Sequence, residues 1–331
     1  MTSIGTPEAS GAPEESGVSG ASQPPAQPQS ATANDSTPAL ASDSDAQEID
    51  PHKLWNDSTR ILELAGVPSP EHDAREIAEF VIGKPPYMWP NSISEGDADR
   101  IEDLVAKRKE RIPLQHILGK MWFLGLELKA QPGVFSVRPE TEVLAEWAIQ
   151  SLSKLSENKS FGSVDPLRVL DLCTGAGPLA LSISRAYPNA KVVAVEQSKV
   201  AAEVATENAQ ALGVPVEVLH ADALALNPDW VGSYDLVVSN PPYVPPRKLE
   251  PELDHDPEEA LWGGGEDGLD FIRDLIPIAH EYLKPGGWLG IEHDDSQGTA
   301  TVELAREAGF IEAYTLQDLN LRDRFLIAHK A

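Results

Sequence analysis

The densest chemistry in this 331-residue sequence lies in Ser239-Asn240-Pro241-Pro242-Tyr243, which follows the short apolar run Tyr234–Ser239. Two successive prolines remove two backbone donors and stiffen the turn. The side-chain oxygen of Asn240 and the carbonyl of Pro241 are left as fixed acceptors. Two acceptors converging on one planar –NH2 hold both of its hydrogens, and the Tyr243 ring offers a flat surface for stacking. Asn240 and Pro241 are therefore the candidate catalytic residues, and Pro242 and Tyr243 complete the candidate substrate contacts. Prolines that merely end a strand would account for the prolines, but not for the Asn and Tyr that flank them.

A second loop suits a cofactor. The run Arg168–Leu172 ends in Asp171-Leu172-Cys173-Thr174-Gly175-Ala176-Gly177-Pro178 and opens into a helical stretch. Gly175 and Gly177 allow a tight turn and close approach of the backbone to a ligand, and Pro178 suits a first helical position. The next run ends at Glu196, 21 residues beyond Gly175, the spacing at which an acid meets a ribose held over a glycine loop. The third glycine of the dinucleotide fingerprint is replaced by Ala180, and there is no G-x-x-x-x-G-K-[ST] loop. A nucleoside cofactor without phosphates fits better, and S-adenosylmethionine is such a molecule. Asp171 would face its cationic amino-acid end, and Asp222, after the third run, would accept from the adenine amine.

The elements that position these loops alternate. Apolar runs at 168–172, 191–196, 214–219, 234–239 and 288–292 are separated or followed by helical stretches at 179–186, 199–212, 269–283 and 299–308. Such alternation predicts βαβ units and a largely parallel sheet. The runs 311–316 and 324–329 leave no room for a helix between them, so that pair must be antiparallel. Upstream, apolar faces centred on Leu54–Ala65, Ala74–Ile82 and Asp97–Lys109 predict three helices. Met121–Lys129 reads as extended, with a turn at Gln131-Pro132-Gly133, together a hairpin joining two domains, and 142–152 as helix. The expected organisation is a disordered acidic tail at 1–50, a helical domain at 51–116, a β-hairpin linker at 117–137 and an α/β domain at 138–331. The tail holds six prolines, eight acidic residues and no Lys, Arg or aromatic, too little apolar surface to offset its ordering entropy.

Composition narrows the function class. There are 26 Lys and Arg against 53 Asp and Glu, a formal net charge of −27, and 41% hydrophobic residues. This balance opposes nonspecific nucleic-acid binding. No apolar run reaches the roughly 18–20 residues of a membrane span, and the N-terminus lacks a signal-peptide layout. A single cysteine, Cys173, excludes a disulfide framework and a cysteine-based zinc site. The expectation is a soluble, monomeric protein of a reducing cytoplasm, with no nucleic-acid or membrane partner.

Asn-Pro-Pro-Tyr with this glycine loop resembles the class I S-adenosylmethionine methyltransferases that act on planar amides or exocyclic amines. Arg111–Gly119, Phe123–Leu126, Pro132-Gly133-Val134 and Arg138-Pro139-Glu140-Thr141-Glu142 are similar to the linker of the HemK/PrmC family. Glu259-Ala260-Leu261, Gly264–Leu269, Leu283–Gly287, Ile291-Glu292-His293 with Gln297, and Asp318-Leu319 with Asp323-Arg324 extend the likeness over about 52–331. Departures are Val137 for a usual Pro, Cys173 and Ala176 for Gly and Ser or Thr, and Asp256-Pro257 for Glu-Pro. The resemblance implies a Rossmann-like sheet, mostly parallel with an antiparallel last strand, behind a small all-helical domain that recognises a protein substrate. It implies N5-methylation of the glutamine in the Gly-Gly-Gln motif of peptide chain release factors. A ribosomal-protein glutamine or a nucleic-acid adenine are the alternative substrates. Residue by residue, it implies that Thr174, Gly175 and Gly177 approach the cofactor, with Cys173 and Ala176 in the same loop. Glu196 would bind the ribose and Ala223 lie beside the adenine. Asn240 to Tyr243 would hold the glutamine. Arg138, Glu140 and Thr141 would line the methionine end or order the linker.

A sulfonium methyl is already electrophilic, so the reaction needs no metal. Cys173 reads as a small buried residue, and Glu292-His293 as a structural strand-end pair. His116 and His220 read as ordinary surface or packing histidines. The acidic run Glu250–Glu259 is expected to be a solvated loop near the site, and Trp262 with the glycines after it to shape a turn.

Overall fold

The computed structural model describes residues 48–158, 165–247 and 251–331. Most of the expected tail, residues 1–47, lies outside them. Its last residues belong to the fold instead: Ile49 bridges to Ile93, and the Asp50 carboxylate accepts from the His52 amide at 2.9 Å. That cap, with Pro51 at the first helical position, starts α1 (Pro51–Leu64). α2 (Pro70–Ile82), α3 (Glu95–Lys109) and the short α4 (Leu114–Leu118) follow. Ser94 caps α3 by accepting from the Asp97 amide at 3.1 Å, and its acidic first turn and basic last turn complement the helix dipole. Leu62, Ala74, Ile77 and Ile101 close a core of their own beneath these helices.

The extended segment forms a hairpin, β1 (Lys120–Phe123) with β2 (Leu126–Lys129), registered Lys120 to Lys129 and Phe123 to Leu126. Its reversal falls at Leu124-Gly125, both with positive φ (45° and 74°), the two-residue turn whose twist suits a hairpin. Pro132-Gly133 turns the chain separately, with Val134 N–H donating to the Gln131 carbonyl at 3.2 Å. The sequence signals only that second turn, because a Leu at positive φ is not legible as turn chemistry.

Then come α5 (Thr141–Asn158), β3 (Arg168–Leu172), α6 (Pro178–Ala186), β4 (Lys191–Glu196), α7 (Lys199–Leu212), β5 (Val216–His220), β6 (Tyr234–Ser239), α8 (Glu258–Leu261), α9 (Asp270–Tyr282), β7 (Leu283–Glu292), α10 (Gly298–Glu307), β8 (Glu312–Gln317) and β9 (Asp323–His329). The sheet order is β5-β4-β3-β6-β7-β9-β8. The first five of these are parallel, and β9 is antiparallel to both β7 and β8. The central strands β3, β4 and β6 read as largely apolar runs because both faces are covered, whereas β5 at the edge is only partly buried. Val169, Val192, Ala194, Leu236 and Val238 face one core with α5 to α7. Leu170, Leu172, Val193, Val195 and Val237 face the other with α9 and α10. Each fully buried aliphatic side chain contributes about 1.5–3 kcal/mol, so the register of these strands is firmly set. None of the described helices is long and apolar enough to cross a membrane.

Candidate active site

The chain order reverses between β3 and β6, and in open α/β sheets ligands bind outside the carboxyl ends of the strands at that point. Register does the rest. Leu172 pairs with both Val195 and Ser239, and Ser239 pairs with Ile291. The residues that follow, Cys173, Glu196, Asn240 and Glu292, therefore emerge side by side along one edge. Ser239 Oγ donates to the Leu172 carbonyl at 2.6 Å and pins the two central strand ends together.

The loop after β3 is held from below and beside. Asp171 is wholly buried, and its Oδ2 accepts from Thr174 Oγ1 at 2.5 Å and from the Ala180 amide at 3.1 Å, in the first turn of α6. Its Oδ1 is buried without a hydrogen-bond partner among the described residues. Burial pushes this carboxyl up to about 7; the bonds from Thr174 and Ala180 offset part of the effect, and the nearby Glu196 adds to it. Asp171 thus orders the loop rather than facing a ligand, contrary to the expectation from its place at the strand end. Glu196 fixes the other side, its Oε2 accepting from the Gly175 amide and its Oε1 from the Ser198 amide, both at 2.8 Å. Gly177 takes φ 92°, and a Cβ there would stand 2.9 Å from Leu181 Cδ1. Asn208 of α7, unremarked in the sequence, gives its Nδ2–H to the Ala176 carbonyl at 3.0 Å and accepts from the Lys129 amide at 2.7 Å. It ties the glycine loop to the hairpin.

These elements surround a cavity of about 1020 Å³, at the top of the roughly 300–1,000 Å³ typical of ligand sites. Cys173 to Ala176, Glu196 and Ala223 line one part of it. Asn240, Pro242 and Tyr243 line another, with Arg138 and Glu140 beside them. Gly177, Pro241, Asp222 and Thr141 are not among the lining residues. Asp222 is exposed and its carboxylate caps the next turn, accepting from the Leu224 amide at 2.8 Å, so the structure does not bring it to the cavity as expected. Cys173 is half-buried rather than buried, with φ 62°. Desolvation, with Glu196 and Asp171 nearby, raises its thiol well above the ordinary range, so it stays protonated.

The Asn-Pro-Pro-Tyr loop is fixed by groups distant in sequence. Glu292, wholly buried at the end of β7, accepts from Thr141 Oγ1 at 2.7 Å and from the Tyr243 hydroxyl at 2.8 Å. Asn240 Nδ2–H donates in turn to Thr141 Oγ1 at 3.3 Å. Burial raises the Glu292 carboxyl above its usual range, against the bonds from Thr141 and Tyr243 and the charge of Arg324. The Arg324 guanidinium lies 5.8 Å from the Tyr243 ring centroid. Gln297 donates from Nε2 to the Tyr243 and Asp267 carbonyls, each at 2.8 Å. α5 reaches this position because Gly290 lets it lie close on β7; a Cβ there would meet Trp147 and Leu144. The glycine turn after Trp262 packs on the same loop: Val244 N–H donates to the Leu261 carbonyl at 2.8 Å, and a Cβ on Gly263 would stand 1.9 Å from the Gly268 carbonyl oxygen. His293 is buried and neutral in character, its pKa lowered by burial, and its Nδ1–H donates to the Asp294 carbonyl at 2.7 Å.

The acidic run is solvated at Asp254, Glu258 and Glu259, but not throughout. Glu252 and Asp256 are buried. Glu252 accepts from Arg108 Nη2 at 3.0 Å and from Arg111 Nε and Nη2 at 2.7 and 2.5 Å. Arg108 also reaches Asp73 at 2.7 Å. Burial alone would raise the Glu252 carboxyl, but the bonds from Arg111 and Arg108 outweigh it and hold the pKa down. Asp256 accepts from the Ser136 amide at 3.2 Å and from Arg138 at 3.0 Å. These carboxylates clamp the helical segment and the linker onto the sheet, which only long-range contacts could reveal.

Two family models match the chain, the Methyltransferase small domain over residues 125–256 and the PrmC N-terminal domain over residues 53–119. The release factor glutamine methyltransferase of Streptomyces coelicolor is 43% identical over 280 residues, covering 83% of this chain and 96% of its own length. That of Mycolicibacterium smegmatis is 42% identical over 279 residues, covering 82% and 94%. The chain belongs to the release factor glutamine methyltransferase family. The two matched segments of this family member meet at the β1–β2 hairpin. Ser69, His72 and Leu114 from the first and the glycine loop from the second line the same cavity.

Proposed function

We propose that this chain transfers a methyl group from S-adenosylmethionine to the side-chain amide nitrogen of the glutamine in the Gly-Gly-Gln motif of peptide chain release factors. The observation that carries the reading is the common cavity of the β3 loop and the Asn240–Tyr243 loop, set by the pairing of Leu172 with Ser239. Family membership supports both the reaction and the substrate.

The walls suit this cofactor. Bare backbone at Gly175 borders the cavity, and each Glu196 oxygen, though it accepts one amide, keeps a lone pair for a ribose hydroxyl. Ala223 leaves room for a flat base. Three of the four arginines on the walls are already paired, Arg108 with Asp73 and Glu252, Arg138 with Asp256, and Arg247 with Asp294, and the fourth, Arg324, lies over the Tyr243 ring, which leaves few cations for a phosphate. When bound, S-adenosylmethionine supplies an electrophilic sulfonium methyl.

The chain's own part is positioning. An amide nitrogen is a poor nucleophile because its lone pair is delocalised into the carbonyl. Asn240 Oδ1, on the cavity wall, accepts one –NH2 hydrogen, favours a pyramidal nitrogen and aims its lone pair; the second hydrogen is assigned to the carbonyl of Pro241, a neighbour that does not itself line the cavity. The Tyr243 ring, locked through its hydroxyl to Glu292, flanks the carboxamide. Such positioning is worth roughly 7–11 kcal/mol at best, and acceptors that tighten as positive charge develops on nitrogen add to it. Two buried carboxylates by the site, Glu292 and Asp171, are committed to Thr141, Tyr243, Thr174 and Ala180, and the reading assigns the proton to water.

The test is label transfer from S-adenosylmethionine to a release factor, to its Gln→Ala variant and to DNA. Label is expected in the unmodified factor alone, and Asn240→Ala should cut turnover about 100-fold with cofactor affinity unchanged. Equal labelling of the variant factor or of DNA would overturn the reading.

A further inference from the structure

Glu292, Thr141, Asn240 and Tyr243 form a hydrogen-bond chain in which the direction of every proton can be assigned. An ionised carboxylate only accepts. Both Glu292 oxygens are engaged, Oε2 by Thr141 Oγ1 at 2.7 Å and Oε1 by the Tyr243 hydroxyl at 2.8 Å, so both hydroxyl protons point at Glu292. Thr141 has one proton and has given it, so toward Asn240 its oxygen can only accept. Asn240 must then turn Nδ2–H toward it, at 3.3 Å. An amide is planar, with its oxygen and nitrogen on opposite sides. Once Nδ2 is committed to Thr141, Oδ1 becomes the free acceptor of a side chain that lines the cavity.

We propose that Glu292 is a positioning and specificity-determining residue: its charge sets the polarity of this chain, so that Asn240 offers the substrate a carbonyl oxygen rather than an –NH2. The proposal rests on the carboxamide-substrate reading above and extends it from the loop that touches the substrate to a buried group that does not. It explains why a carboxylate without an ion pair among the described residues occupies the end of β7 next to Asn240.

Exchanging the carboxylate for a carboxamide of the same shape should reverse the chain. The introduced –NH2 has two places to go. Facing Tyr243, it would take away the acceptor of the tyrosine proton, whose bond to Glu292 is the one that hydroxyl donates among the described residues. Facing Thr141, it leaves the threonine proton free to turn to Asn240, which flips and keeps every bond. The flip puts the Asn240 –NH2 into the cavity, a donor where the substrate glutamine also brings donors. A substrate side chain with acceptors only would then fit better.

The experiment compares the affinity of a release factor and of its Gln→Glu variant for the full-length protein saturated with S-adenosylhomocysteine. The unmodified protein should favour the glutamine factor by about tenfold or more, the scale of one hydrogen bond gained against one repelled. Glu292→Gln should abolish or reverse that preference, with S-adenosylhomocysteine affinity within about twofold of normal. Thr141→Val, which cuts the chain without removing the carboxylate, should bring the preference close to one without reversing it, and it carries the test should Glu292→Gln not fold. A protein that methylates neither factor overturns the functional reading and this one with it. A protein that methylates its glutamine factor, while Glu292→Gln or a folded Thr141→Val keeps the original preference, overturns the present proposal alone.

Discussion

Gly263 tests whether the substrate loop is held by backbone contact. A Cβ at this position would lie 1.9 Å from the Gly268 carbonyl oxygen and 2.8 Å from Tyr243 Cα. Neither neighbour is the end of a flexible side chain. Restoring an ordinary carbon–oxygen contact needs more than about 1 Å of movement, and overpacking of this kind costs roughly 1–3 kcal/mol of stability. The segment that must move carries Tyr243 and Val244, which is bonded to Gly263 through its carbonyl at 3.2 Å. A displacement of about 1 Å at a reacting group costs about 100-fold in rate, or roughly 2.7 kcal/mol of transition-state stabilisation. Gly263→Ala should therefore lower kcat/KM for the release factor about 100-fold, while cofactor affinity is unchanged because the β3 loop is untouched. Gly213→Ala is the control: φ is 64° and nothing lies within 4 Å, so it should cost about 1–2 kcal/mol of stability and no activity. Methyl transfer below KM, with a cofactor titration alongside, reads both quantities. A folded Gly263→Ala protein with kcat/KM near the unmodified value would refute the reasoning.

Asp171 predicts a pH dependence of stability. Its folded pKa of about 7 is above that of the unfolded chain, near 3.9. The stability it contributes is complete below about pH 4 and is lost as pH rises toward 7, at about 1.4 kcal/mol per unit and roughly 4 kcal/mol in all. Asp171→Asn should remove that slope, so urea unfolding from pH 4.5 to 8 should show the variant gaining on the unmodified protein; parallel curves would dismiss the assignment. Glu252→Ala removes the buried carboxylate shared by Arg108, which keeps Asp73, and Arg111 and should destabilise by about 3 kcal/mol. Faster amide exchange in α1 to α3, with α6 and α7 little changed, would locate that loss at the clamp, and uniform exchange would place it elsewhere.

The central parallel strands were legible because burial on both faces makes them largely apolar runs, and α6 because Pro178 marks its start. The two ligand loops were legible because glycines and paired prolines carry backbone chemistry that shows in sequence. What was hidden depends on partners far along the chain. Thr141 and Glu292 are 151 residues apart, and Arg108 and Glu252 are 144 apart. An acid in a polar run reads as solvated until its arginines are found, as Glu252 and Asp256 show. Asp171 and Asp222 were misplaced for a related reason: a carboxylate near a ligand loop can serve the loop's own amides, and spacing alone does not say which.

The clamp also bears on how substrate choice can change. Glu252 follows Tyr243 by nine positions, so the stretch that grips the helical segment is tethered to the stretch that meets the substrate. The helices are therefore not an exchangeable adaptor. A transplanted cap would need two guanidiniums aimed at one carboxylate before it could present any new surface, and a poor fit would pull on the very loop it was meant to serve. Divergence toward other protein targets has an easier route through the outward side of α1 and α2, where side chains can vary without disturbing that junction.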